Sequence, residues 1–116
     1  MIAVIFEVWT KGAQRDEYLD LASQLKSVLV NVDGFISIER FESLSQPGKL
    51  LSLSFWRDEQ SVSTWRNLET HRAAQFKGRS YIFTDYRLRV ANIIRDYGKS
   101  ARDEVPSDSK AVHDHM

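Results

Sequence analysis

Residues 35–56, FISIERFESLSQPGKLLSLSFW, contain two β-type segments joined by a turn. The segments 35–42 and 50–56 are rich in β-branched, aromatic and leucine side chains, and Gln46-Pro47-Gly48 between them is a turn signal. Two such segments with a short connection predict an antiparallel hairpin. The elements on either side of this hairpin decide the fold.

The chain before the hairpin contains one further strand and one helix. Residues 2–9 (IAVIFEVW) are apolar except for Glu7, which predicts a buried strand. Residues 14–31 carry apolar side chains at helical spacing, and Asp33-Gly34 is expected to end that helix. The members of the apolar stripe are Tyr18, Leu21, Ala22, Leu25, Val28 and Leu29.

The chain after the hairpin repeats the helix and the strand. Asp58 is a predicted N-cap for a second helix, and Thr70 for a further turn over HRAAQFKG. Residues 85–95 alternate in the manner of a fourth strand, at an edge or an interface. The order β-α-β-β-α-β predicts a ferredoxin-like α+β fold, with a four-stranded antiparallel sheet and helices on one face. We expect residues 1–98 to form this domain and residues 99–116 to form a flexible tail.

Composition restricts the class of protein. The chain has 116 residues, 42% of them hydrophobic, which is typical of one globular domain. The absence of cysteine excludes disulfides, thiolate metal sites and a cysteine nucleophile. Sixteen basic and sixteen acidic residues give a net charge of +0, which argues against nucleic-acid binding. No signal peptide and no apolar run of roughly 20 residues is present, so a cytoplasmic protein without a membrane partner is expected.

The predicted strands are apolar on both faces. In residues 2–9, Phe6 falls on one face and Ile5 on the other, and residues 50–56 show the same double pattern. A sheet whose second face is apolar needs a second covering layer, and another copy of the chain is the simplest one. We therefore expect a homodimer with the two sheets face to face. The alternative is local variation at the strand ends.

Several side chains are candidates for chemistry or binding. His71 could act as a base, bind haem iron, or simply face solvent on a helix. Gln75 lies one helical turn later. Trp65 is either a core residue or a flat wall for an aromatic ligand. Asn92 interrupts an apolar stripe, so it is expected to bond to backbone or to project into a polar pocket. Glu7 interrupts the first strand.

Charged residues leave further alternatives open. Glu7 is either a catalytic base or one half of an ion pair, with Arg40, Arg87 and Arg89 as the candidate partners. Residues 66–95 contain seven basic and two acidic residues. That basic half would either bind an anionic ligand, such as a carboxylate-bearing ring system, or pair with the acidic first helix. The tail sequence His113-Asp-His115 would bind a metal at most weakly.

The chain resembles the antibiotic biosynthesis monooxygenase family. The resemblance covers residues 1–96 and is most specific in LSLSFWRDEQSVSTW, followed by THRAAQ. It implies a dimeric α+β barrel. It also implies one of several activities, among them cofactor-independent oxidation of quinols by molecular oxygen and haem degradation. In haem-degrading members the site contains a first-strand Asn, a helix Trp and a His ten residues later. Trp65 matches the Trp, but Ile5 or Glu7 replaces the Asn and Gln75 replaces the His.

The resemblance leads to one main functional prediction and two alternatives. The main prediction is a monooxygenase that oxygenates a small aromatic or quinol-type substrate without metal or flavin. The predicted catalytic residues are His71, Trp65 and Asn92, and the predicted substrate-binding residues are Gln75, Glu7 and Phe6. The alternatives are a haem-binding, haem-degrading monooxygenase and a non-catalytic dimer that binds a small molecule.

Overall fold

The computed structural model describes residues 1–68 and 83–113 of the chain. Its elements are β1 (Ile2–Trp9), α1 (Gln14–Leu29), β2 (Phe35–Glu42), β3 (Lys49–Trp56), α2 (Glu59–Arg66), β4 (Asp85–Asn92) and α3 (Ser107–His113). Each predicted strand and both predicted helices before residue 68 are present. The predicted turn over HRAAQFKG, with His71 and Gln75, lies outside the described residues. No helix in the described part of the chain is long and apolar enough to cross a membrane.

The four strands form one antiparallel sheet in the order β2-β3-β1-β4. The central strands are β1 and β3, in which Phe6 is paired with Ser52. The edge position predicted for β4 is confirmed. The ferredoxin-like arrangement predicted from the sequence is therefore present, with α1 and α2 on one face of the sheet.

Even-numbered side chains of the central strands point toward the helices. One buried cluster there contains Val8, Tyr18 and Leu50. The other contains Leu29, Trp56, Val62 and Trp65. Burying each large apolar side chain of this kind contributes about 1.5–3 kcal/mol to folding, so these two clusters hold both helices against the sheet.

The start of α2 is fixed by a cap and by a close contact. Asp58 is extended at the N-cap, as predicted, and accepts hydrogen bonds from the Ser61 amide (2.8 Å) and hydroxyl (2.7 Å). Gly34, with φ at +90°, lies against the Ser61 side chain, and a Cβ at this position would overlap it. Glycine is thus required where the chain enters β2 and passes α2.

Two features of the C-terminal part differ from the sequence-based expectations. The tail contains the short helix α3, which its lack of periodicity did not predict. Asn92 ends β4 and is exposed, so it does not interrupt a buried stripe in the single chain, and the reason for expecting a backbone or pocket partner does not apply there. Because β4 is an edge strand, its alternating pattern does not imply that both of its faces are covered.

Candidate functional site

A cavity of about 200 Å³ lies between the sheet and the helices α1 and α2. Its walls are largely apolar, with Val4 from β1, Leu25 from α1, Val62 from α2 and Leu88 from β4. The volume is below the roughly 300–1,000 Å³ of sites for drug-sized ligands, which favours a small one.

Three phenyl-type rings, those of Phe6, Tyr18 and Phe83, line the cavity. Phe6 stacks nearly parallel to Tyr18, with ring centroids 6.5 Å apart, and to Tyr86 at 5.9 Å. Phe83 meets Phe6 edge-on at 5.5 Å. These are favourable arrangements for aromatic pairs. A flat ring entering the cavity would meet aromatic side chains already fixed in position.

Two indole rings also line the cavity. Trp56 and Trp65 both line it, and they are 2% and 8% exposed. The indole Nε1 of Trp56 donates a 2.9 Å hydrogen bond to Ser54 Oγ. This bond satisfies a buried N–H group that would otherwise be costly. Trp65 is therefore a core residue, as one interpretation predicted, and it also lines the cavity; its contact with an aromatic ligand stays a prediction.

The polar part of the cavity lies on the sheet. Arg40 of β2 is directly paired with Ser52 of β3, and both side chains line the cavity. Arg40 Nε donates to the Tyr18 hydroxyl at 3.4 Å, and its guanidinium carbon lies 5.9 Å from the centre of the Tyr18 ring. Of the three candidate partners of Glu7, Arg40 is wrong, because the side chains of Arg40 and Glu7 lie on opposite faces of the sheet.

The electrostatic character of the cavity is positive. Besides Arg40, the cationic residues Lys26 and Arg66 line its rim. No Asp or Glu is among the described residues that line it. Within the described part of the chain, the salt bridges also contain no pair between residues 66–95 and the acidic residues of α1. A negatively charged ligand would balance the positive charges of Arg40, Lys26 and Arg66.

Glu7 occupies the opposite face of the sheet. It pairs with Lys49 (Nζ to Oε2, 2.6 Å) and with Arg89, so the predicted Arg89 partner is confirmed. The hydrogen bond from Lys49 is the main cause that lowers the pKa of Glu7, and the charges of Lys49 and Arg89 act in the same direction. Phe6 and Glu7 are consecutive in a strand, so they cannot line the same cavity.

The structure therefore brings together only part of the predicted site. Phe6 and Trp65 line the cavity, whereas Glu7 and Asn92 are not among its described lining residues. Sequence reasoning missed Ser52 and did not place Arg40 in the site. The alternation of side chains along the strand could have identified Ser52, because residues 52 and 56 lie on the same face of β3 and Trp56 is buried.

The fold and the cavity define a small α+β protein that can enclose an apolar ligand between its sheet and its helices. Residues 1–77 match the family model described as antibiotic biosynthesis monooxygenase. The chain belongs to this family, as the resemblance in the sequence indicated.

Two curated relatives match the same share of the chain. The jasmonate monooxygenase of Pyricularia oryzae is 52% identical over 93 residues, which is 80% of this chain and 43% of that protein. The uncharacterized protein YqjZ of Bacillus subtilis is 30% identical over 93 residues, covering 80% of this chain and 79% of that protein. The chain thus spans less than half the length of the jasmonate monooxygenase that it matches.

Solved structures share the fold at low sequence identity. A candidate antibiotic biosynthesis monooxygenase from Deinococcus radiodurans has a TM-score of 0.76 at 17% identity, covering 84% of this chain and 97% of that one. SnoaB, a cofactor-independent oxygenase from Streptomyces nogalater, has a TM-score of 0.72 at 8% identity, covering 82% of this chain and 94% of that one. At these identities the likeness concerns the fold alone.

Proposed function

We propose that this protein is a monooxygenase that uses molecular oxygen to oxygenate a small aromatic or quinol-type substrate in the cavity between its sheet and helices. The observation that carries the proposal is the cavity itself, which has apolar and aromatic walls and a volume of about 200 Å³. Membership of a family of monooxygenases supports the chemistry. The proposal requires neither a metal nor a flavin.

The reaction of a phenolic substrate balances without an external reductant. Loss of the hydroxyl proton gives a phenolate, which supplies electrons to oxygen. A ring C–H carbon becomes a carbonyl carbon by taking one oxygen atom. The second oxygen atom leaves as water with the hydrogens of the hydroxyl group and the ring carbon. A phenol and one O₂ thus give a quinone and one water.

The protein would contribute orientation and exclusion of water. Phe6 and Trp65, which both line the cavity, would hold a flat ring in place. His71 and Gln75, outside the described residues, are proposed partners for proton transfer and hydrogen bonding. The exposed position of Asn92 and the opposite-face position of Glu7 give no support to roles in this cavity, so those roles stay predictions.

Oxygen uptake with a panel of phenols and quinols tests the proposal. We expect one O₂ consumed for each quinone formed, and a rate that falls roughly tenfold or more in Trp65→Phe because the ring is no longer held in place. Trp9→Phe is the matched control, since Trp9 bonds to Gln46 outside the cavity. Ligand binding without oxygen uptake would favour the non-catalytic alternative.

Jasmonate is a second candidate substrate. The supporting observation is the 52% identity to a relative named jasmonate monooxygenase. Jasmonate is a cyclopentanone with a carboxylate side chain, and its hydroxylation would consume two external electrons because the second oxygen atom becomes water. Assays with and without a reduced nicotinamide therefore distinguish this reaction from phenol oxidation, which needs no such donor.

The haem alternative has little support in the cavity. Among the described lining residues, Tyr18 is the only side chain of a type that ligates haem iron, and it already accepts a hydrogen bond from Arg40. A haem site would depend on His71, which lies outside the described residues. Visible absorption during a haemin titration decides the question, since a saturable Soret shift that His71→Ala abolishes would overturn the cofactor-free proposal.

A homodimer through the open face of the sheet is part of the proposal. We define the open face by its apolar residues Ile5, Leu51, Leu53 and Phe55, which point away from α1 and α2. All four are only partly buried in the single chain. A contiguous apolar surface of this kind is typical of an interface, and packing against a second sheet would cover it.

A further inference from the structure

We propose that the cavity recognises its substrate by a carboxylate group, held by the guanidinium of Arg40 and the hydroxyl of Ser52. This inference rests on the proposed function for the identity of the cavity as the substrate site. It deepens that function by naming the substrate class, a small ring-bearing carboxylic acid. Two side chains, Arg40 and Ser52, lack a full set of partners within residues 1–68 and 83–113.

Among the described residues, Arg40 is a cation without a carboxylate partner. Its side chain is half-buried, and within the described residues its interactions are the bond to the Tyr18 hydroxyl and the contact with the Tyr18 ring. The hydroxyl satisfies Nε, so the terminal guanidinium nitrogens remain available. A cation held in an apolar cavity is costly unless a negative charge comes to it. A bound anion would supply that charge.

Ser52 is a buried hydroxyl without a hydrogen-bond partner in the described part of the chain. The residue is 8% exposed and lines the cavity. Its neighbour Ser54 differs, because Ser54 accepts a hydrogen bond from Trp56. Buried polar side chains nearly always have a partner. The Ser52 hydroxyl is therefore a donor that a ligand can use.

The two groups are neighbours in one row across the sheet. Arg40, Ser52, Phe6 and Leu88 are successive cross-strand partners in β2, β3, β1 and β4. Direct partners have Cβ atoms roughly 4.5–5.5 Å apart, so one carboxylate can reach both donors. The apolar half of the row, at Phe6 and Leu88, would then contact the ring of the same ligand.

Tyr18 is a positioning residue in this arrangement. Its hydroxyl accepts from Arg40 Nε at 3.4 Å, which fixes the plane of the guanidinium, and its ring stacks with Phe6. The planar fork of arginine suits the two oxygens of a carboxylate. The cationic Lys26 and Arg66 at the rim would attract the anion without selecting its geometry.

Calorimetric titration with acids and their methyl esters tests the inference. The probes are jasmonic acid with methyl jasmonate, and 4-hydroxyphenylacetic acid with its methyl ester, titrated without oxygen so that binding is separated from turnover. We expect at least one acid to bind roughly ten- to a hundredfold more tightly than its ester. Arg40→Gln should remove that preference and leave ester affinity almost unchanged, which also shows that the variant is folded.

Two further variants make the test specific. Ser52→Ala should weaken acid binding by roughly tenfold, the effect of one hydrogen bond to a charged group. Arg95→Gln is the matched control, since Arg95 is exposed and lies outside the cavity lining, and it should bind as the parent protein does.

The outcomes separate the carboxylate site from the monooxygenase. Equal affinity for acid and ester, an acid preference that survives Arg40→Gln, or binding of neither probe pair at millimolar concentration would overturn the carboxylate site. Acid-selective binding without oxygen uptake would leave the carboxylate site in place and contradict the proposed oxygenation. Equal oxygen uptake with an acid and with its ester would contradict the carboxylate site and leave the proposed oxygenation in place.

Discussion

Trp56 and Ser54 lie two residues apart on the same face of β3, and the Trp56 indole N–H donates to the Ser54 hydroxyl at 2.9 Å. Both residues are at least 95% buried. Leu51, Leu53 and Phe55 point the other way, so β3 places two serines toward the helices and its intervening apolar side chains on the open face. Both serines line the cavity, but the Ser54 hydroxyl is bonded to Trp56, whereas the Ser52 hydroxyl has no partner among the described residues.

Ser54→Ala should destabilise the fold. The substitution leaves the buried Trp56 N–H without its acceptor, which costs about 1–3 kcal/mol. Urea unfolding followed by tryptophan fluorescence measures the change. Ser100→Ala, at an exposed tail position, is the control and should stay within about 0.5 kcal/mol of the parent. Equal stability of the two variants would contradict the assigned hydrogen bond.

Gly34→Ala should be more damaging than Gly12→Ala. Both glycines have positive φ, at +90° and +53°, so both substitutions introduce backbone strain. Only the Gly34 Cβ would meet another residue, since it would overlap Ser61, whereas nothing lies within 4 Å of a Cβ at Gly12. We expect Gly12→Ala to cost about 1–2 kcal/mol and Gly34→Ala clearly more. Thermal unfolding of both variants checks this order.

The N-cap at Asp58 makes the free energy of unfolding depend on pH in the acid range. Hydrogen bonds from the Ser61 side chain and amide are the main causes that lower the pKa of Asp58 to about 2 from its ordinary 3.8. A lowered pKa means that the ionised carboxylate stabilises the folded state above pH 3.8, and that this contribution is lost as the pH falls through about 2.

Asp58→Asn isolates this dependence, because asparagine keeps a capping oxygen and loses the charge. The difference in unfolding free energy between parent and variant should be constant near neutral pH and should shrink as the pH approaches 2. Urea unfolding at a series of pH values measures it. A difference that does not change with pH would show that the charge of Asp58 contributes nothing to folding.

Substitution of Leu53 should separate the proposed dimer. Leu53 lies at the centre of the open face, paired with Ile5 on one side and Glu39 on the other. A lysine there would place a charge in the middle of the interface, which is costly when unpaired. Sedimentation velocity should show a dimer for the parent and for Gln24→Lys, an exposed position on α1, and a monomer for Leu53→Lys. A monomeric parent would contradict the interface.

Local pattern predicted the elements of this chain but not the direction in which each polar side chain points. The period of two in residues 50–56 and the helical stripe from Tyr18 to Leu29 specify a strand and a helix without any tertiary information. Which face of a strand the helices cover is a tertiary property. Local pattern therefore leaves Arg40 as one of three candidate partners of Glu7 and gives Ser52 no role, although strand register pairs Arg40 with Ser52.

The candidate site residues show the same difference between what local pattern predicts and what only the tertiary structure reveals. Trp65 was predictable because its helical spacing and its size both point to the interior. Asn92 was not, because an alternating pattern does not distinguish a covered strand from an exposed edge strand. The predictions for His71 and Gln75 remain untested, since both residues lie outside the described part of the chain.

Oxygen uptake with isotopically labelled O₂ tests the central claim most directly. With a phenolic substrate that turns over, the account predicts one labelled oxygen atom in each quinone molecule, the other in water, and a rate that falls in Trp65→Phe but not in Trp9→Phe. Quinone formed without the label, or a panel of phenols, quinols and jasmonate that supports no oxygen uptake, would contradict it.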